Sequence, residues 1–196
     1  MSDDAAKQRR ARQTLINLLL ALGACLGLVL VIVLITPRSD TNLIPHIDYK
    51  QVAKSAKDAT GLPILDPKLK AGWWSNAARF DAGAADGVKS WYVGFVGPNG
   101  EYAGITQAFD SNPTWLAVKL QGDLPTGEQT IGGRKWTTYE NPQPGDSPKT
   151  MDYAITTEVL DRSGHHDDVL VYGTAGAAII KNFANLISAQ IDKDYK

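Results

Sequence analysis

A single cysteine, Cys25, excludes an internal disulfide framework and any multi-cysteine metal cluster. An excess of one charge is missing too. The formal net charge of -1 rules out the basic surplus of a protein that lives on nucleic-acid phosphates. There is no G-x-S-x-G nucleophile elbow and no dinucleotide glycine pattern after a strand. Gly132-Gly133-Arg134-Lys135 lacks the spacing and the trailing hydroxyl of a phosphate loop and reads as a tight turn. No useful repeat and no low-complexity tract is visible. With 43% hydrophobic and 21% charged residues, wholesale disorder is excluded as well. The expectation is a protein without catalytic, cofactor-binding or metal-binding residues. The 196 residues leave room for one ordinary domain and an appendage.

The appendage is at the start. Residues 15–35 read LINLLLALGACLGLVLVIVLI, with Asn17 the one strongly polar side chain and no charge. As a helix this run spans about 31 Å, close to the ~30 Å hydrocarbon core of a bilayer. Inside lipid a helix satisfies its own backbone groups. Pro37 then stops it. Two alternatives stand beside a permanent span. A cleaved signal peptide has a shorter apolar core and a small-x-small site, which the LIT before Pro37 is not. A lipoprotein signal is suggested by Leu22-Gly23-Ala24-Cys25, but a further apolar stretch follows Cys25. Lys7, Arg9, Arg10 and Arg12 crowd the N-terminal flank, against Arg38 alone on the other. Positive charge resists translocation, so the N-terminus is expected in the cytoplasm and the rest outside the plasma membrane. The expected division is a basic stub at 1–14, a transmembrane helix at 15–36, a tether at 37–47 and an extracytoplasmic domain at 48–196. Beyond Pro37 the chain holds 16 Lys+Arg and 19 Asp+Glu.

In that domain Asp48 opens a helix as an N-cap, with Gln51 placed for a capping box and Gly61 for the end. A strand is expected over 74–80. Trp91-Tyr92-Val93-Gly94-Phe95-Val96, the turn Gly97-Pro98-Asn99-Gly100 and a return strand at 102–109 make a hairpin. After Asn112-Pro113 the period over 114–121 fits a short helix or a strand. Gly132-Gly133 joins strands at 129–131 and 135–139, and 141–148 is a Pro-rich loop. A third hairpin pairs 152–160 with 169–173 around a polar loop at 161–168. Ile179, Phe183, Leu186, Ile187 and Ile191 form one stripe on a closing helix that Thr174 can cap. The fold class expected is α+β: six or seven antiparallel strands packed by helices.

Few residues suggest chemistry. His165-His166-Asp167-Asp168 has ligand character, but it lies where a hairpin should turn, and a solvated turn is the expectation with a metal site the alternative. The adjacent Trp73 and Trp74 must point apart if they enter a strand. With Tyr92 and Tyr102 they are the candidate partner or ligand surface, and a small hydrophobic ligand is the kind such a surface takes. Asn17, Gly23 and Gly27 are the candidate residues for packing within the membrane.

The segments LDPKLKAGWWSNAARF, WYVGFVGPNGEYAGITQAF, GGRKWTTYE and LVYGTAGAAIIKNFANLI occur in that order. Together they resemble the actinobacterial membrane-anchored proteins of the domain of unknown function 4245 family. The matching positions are Pro67, Leu69, Gly72 and Trp73; Trp91, Val93, Gly94 and Phe95; Gly133 and Trp136; and Gly173, Thr174 and Ala175. Lys68 and Lys70 depart from the apolar or proline residues common there. The resemblance covers about 48–191 and implies an envelope location with no assigned catalytic residue. The order of elements is also similar to the PsbP/Mog1-like sandwich. Small single-pass subunits accompany actinobacterial respiratory (cytochrome) supercomplexes, and the topology resembles theirs. The expected function is a non-enzymatic accessory or interaction subunit of a larger plasma-membrane complex. The alternative is an envelope module binding a lipid, glycan or peptide.

Overall fold

The computed structural model describes residues 2–35, 45–83, 86–140, 151–161 and 164–195. The chain separates into two units, Met1–Leu43 and Ile44–Lys196. The first contains α1 (Ser2–Ile35), a continuous helix. It starts upstream of the apolar run because alanine, arginine, lysine and glutamine in 5–12 are good helix formers. Within it, Arg12–Ile35 is long and apolar enough to cross a membrane.

The second unit opens with α2 (Tyr49–Thr60). The Asp48 carboxylate accepts the Gln51 N–H at 3.2 Å, and Gly61 ends the helix at φ +71°, where a side chain would be strained. A strap then leads to β1 (Trp74–Asp81), β2 (Lys89–Val96) and β3 (Tyr102–Phe109). After α3 (Pro113–Lys119) come β4 (Gly127–Ile131), β5 (Arg134–Glu140), β6 (Tyr153–Leu160), β7 (His166–Gly173) and α4 (Gly176–Asp194). The seven strands form one antiparallel sheet in the order β1-β2-β3-β7-β6-β5-β4. Two meanders, β1–β3 and β4–β7, are joined by the pairing of β3 with β7. This is the α+β layout expected.

Strand alternation decides the faces. Trp91, Val93 and Phe95 of β2 share one face with Ala103, Ile105 and Phe109 of β3 and Val169 and Val171 of β7. On that face α2 lays Ala53 and Ala56, and α4 lays Ile180, Phe183, Ala184, Ile187 and Ile191. Two indoles inside this core are satisfied, as buried Trp N–H groups must be. Trp91 Nε1 donates to the Leu65 carbonyl at 2.9 Å. Trp136 Nε1 donates to Ser188 Oγ at 3.2 Å, and Ser188 passes its own proton to the Ile131 carbonyl at 3.0 Å.

Of the two readings open over 114–121, the helix is the one observed, as α3, because the Asn112 side chain accepts the Trp115 N–H at 2.9 Å and Pro113 fits the first turn. Other expectations are corrected. The polar loop between β6 and β7 is shorter than expected, since β7 begins at His166. Thr174 does not cap α4. The N-cap is Ala175, and Thr174 Oγ1 accepts the Tyr102 N–H at 3.2 Å. Most of the expected tether, and the Pro-rich loop at 141–148, lie outside the described residues.

Candidate functional site

The two neighbouring tryptophans diverge at the start of β1. Trp73 packs against the core, edge-on to Phe183 with ring centroids 5.1 Å apart. Trp74 pairs with Val96 and so belongs to the sheet face opposite α2 and α4. His46 stacks on it at 4.0 Å, with the rings 8° from parallel.

That opposite face carries a cluster built on glycine. Gly94 of β2 is directly across from Gly104 of β3, and Gly104 is across from Tyr172 of β7. Tyr92 and Tyr102 lie two residues from these glycines and lean towards each other above them. Their hydroxyls are 2.6 Å apart. A Cβ on Gly94 would meet Tyr92 Oη and Asn76 Oδ1 at 2.7 Å each. One on Gly104 would meet Tyr102 Oη at 2.7 Å and Tyr172 Cζ at 2.9 Å. The glycines therefore form a floor on which the phenols lie. Tyr172 stands edge-on to Tyr102 at 6.1 Å, and the Arg79 guanidinium lies 4.0 Å above the Tyr92 ring. Asn76 sits where the β1–β2 register shifts, and its buried Oδ1 has no hydrogen-bond partner.

Burial, reinforced by Tyr172 and Tyr92, holds the Tyr102 phenol above the ordinary tyrosine range. Burial does the same for Tyr172. Both stay protonated at neutral pH. The cluster offers hydroxyls and ring edges for recognition. Tyr92, Tyr102, Tyr172 and Trp74 are each half-buried, and Arg79 is exposed.

Beyond this cluster α3 covers part of the same face. Trp115 packs on Val88 and Ala108, and Leu120 on Tyr139, Ala154 and Leu170. Val118 on α3 and Leu124 after it remain 69% and 80% exposed.

The His165–Asp168 run is solvated only at its start. His165 and His166 are exposed, His165 beside Asp161 at 3.4 Å and His166 paired with Glu158. Asp167 instead points inward and is only 2% exposed. Its Oδ1 accepts the Asp110 N–H at 3.0 Å, and its Oδ2 accepts the Tyr195 hydroxyl at 2.7 Å. Gln107, fully buried in β3, completes the network. Its Nε2 donates to Tyr195 Oη at 2.6 Å and to the Pro63 carbonyl at 2.8 Å, and its Oε1 accepts the Leu65 N–H at 3.0 Å. Burial raises the Asp167 carboxyl above the usual carboxylate range, against the lowering effect of these two donors. Burial, and then the Asp167 charge, raises Tyr195. Sequence reading missed this network, although the signal was there. Gln107 alternates with Ala103, Ile105 and Phe109, and Asp167 with Val169 and Val171, so both are polar residues at core parity. Among the described residues no three His, Cys, Asp or Glu side chains converge on a point.

In α1 the side chains from Arg12 to Ile35 are exposed, and nothing lies within 4 Å of a Cβ built on Gly23 or Gly27. Those two glycines share a helix face, with Asn17 about 100° round the axis from their midpoint.

No curated protein and no solved structure matches the chain. A family model described as "Protein of unknown function (DUF4245)" matches residues 10–187, which include the apolar part of α1 and all seven strands. The chain belongs to the DUF4245 family.

Proposed function

We propose that this is a non-enzymatic, single-pass protein of the plasma membrane with its N-terminus in the cytoplasm. Its C-terminal domain lies outside and acts as an accessory or interaction subunit of a larger membrane complex. A respiratory (cytochrome) supercomplex of the actinobacterial kind is the assembly that the resemblance favours. The observation that carries this reading is the half-exposed patch of Trp74, Tyr92, Tyr102, Tyr172 and Arg79 on one sheet face. Trp, Tyr and Arg are the residue types that dominate interaction hot spots. Rigid rings already held by one another lose little freedom on docking. The occupant is another membrane protein, because an anchor raises the effective concentration of the domain for partners in the same bilayer. Gly23 and Gly27 permit close approach of a neighbouring helix on one face of α1, and Asn17 offers a hydrogen-bonding side chain on a different face.

The test is a photo-crosslinking residue at position 92 of the full chain in its native membrane, with the same residue at position 128 as control. The reading expects a crosslink to one integral membrane protein from 92 and none from 128, lost in Arg79→Glu. Equal labelling from both positions, or none from 92, contradicts it. The alternative, a module for a lipid, glycan or peptide, draws support from a groove beside Trp73.

A further inference from the structure

The groove beside Trp73 has a volume of about 170 Å³ and runs between the 69–73 segment and α4. Its walls are Leu69, Trp73, Ile179, Phe183 and Leu186. The Trp73 ring is wedged between Phe183 and Gly97, where a Cβ would come within 2.9 Å of Trp73 Cζ2. The indole is therefore a fixed wall, and Gly97 is what leaves room for it. Two polar residues also line the groove, Lys70 and Asn182, and both are exposed. Lys70 is the one charged residue there, and it makes no ion pair among the described residues.

An apolar slot gains from taking hydrocarbon out of water. A lone ammonium at its lip selects a carboxylate or phosphate over a cationic head. Trp73 lies two residues from Ser75, whose carbonyl accepts the Ile47 N–H at 2.8 Å. The groove is thus at the end of the sheet where the C-terminal unit begins. A membrane, the setting to which α1 points, is rich in amphiphiles.

We propose that this groove binds a single-chain anionic amphiphile of the fatty-carboxylate class, the head-proximal part of its chain between Trp73 and the α4 residues and its head on Lys70 Nζ. The inference rests on the alternative reading, a lipid-binding module, and not on partner docking, since none of these residues belongs to the tyrosine patch.

The test uses the full chain in zwitterionic nanodiscs. One probe is a long-chain fatty acid carrying a diazirine in the part of its tail nearest the head. The other carries the same tail on a quaternary ammonium head. After irradiation, labelled peptides are mapped by mass spectrometry. The carboxylate probe is expected to label the peptides spanning 69–73 or 179–186 at least about fivefold more than the cationic probe, and Lys70→Glu is expected to abolish that preference while labelling of α1 stays constant. Lys70 is exposed, so the variant keeps its fold, and the two-probe comparison on the unaltered chain is a reading that needs no variant. Labels confined to α1, equal labelling by both probes, or a preference that survives Lys70→Glu overturns the proposal.

Discussion

The hydroxyls of Tyr92 and Tyr102 meet at 2.6 Å above two glycines, Gly94 and Gly104, that face each other across β2 and β3. Neither phenol could occupy that position over an ordinary strand. The missing Cβ atoms open a trough, and the rings fill it. Packing, and not backbone freedom, is what requires glycine at these two sites.

Gly104→Ala therefore forces a methyl group to within 2.7 Å of Tyr102 Oη and 2.9 Å of the Tyr172 ring. Overpacking of this kind costs about 1–3 kcal/mol. Urea unfolding of the full chain should show that loss, together with a change in tyrosine fluorescence. Unchanged stability would mean that the rings are not fixed on the floor.

Ser188→Ala leaves the Trp136 indole N–H buried without an acceptor and the Ile131 carbonyl without that donor. Trp136 and Ser188 are both fully buried, so water cannot replace the lost group. The expected cost is about 1–3 kcal/mol. A Ser188→Ala midpoint indistinguishable from the parent contradicts the assignment.

Asp167 gives a pH dependence of definite sign. Burial raises its carboxyl in the folded state above the unfolded value. The folded protein then binds this proton more tightly than the unfolded chain does. Its contribution is fully present below the unfolded carboxylate pKa of about 3.9 and is lost as pH rises through the raised folded value. Asp168, raised by burial as well, acts in the same direction. Urea midpoints measured from about pH 8 down to about pH 4 should therefore rise for the parent relative to Asp167→Asn, which cannot titrate. Parallel curves contradict the buried, desolvated state of Asp167.

Much of this fold is readable from local chemistry. Asp48 and Gly61 bracket α2 because a cap and a left-handed stop act within one turn. The β2–β3 hairpin follows from alternating aromatics around Gly97-Pro98-Asn99-Gly100. The divergence of Trp73 and Trp74 follows from the two-residue period of a strand. What stayed hidden is non-local. Nothing near Ala103 or Val171 announces that β3 pairs with β7, and Gln107 meets Tyr195 from 88 positions away. The His165–Asp168 run looked solvated because its composition is polar, whereas Asp167 is paid for by partners far off in the chain. The candidate patch was half visible. Trp74, Tyr92 and Tyr102 stood out as aromatics, but Arg79 and Tyr172 join them only through sheet register.

The measurement closest to the centre of this account is protease treatment of intact spheroplasts carrying a tag at each end of the chain. A single uncut span with the domain outside predicts rapid loss of the C-terminal tag. The N-terminal tag should survive on a fragment that contains α1 and resists digestion until the membrane is opened. A C-terminal tag protected until lysis, or a mature chain that begins beyond Ile35, contradicts it.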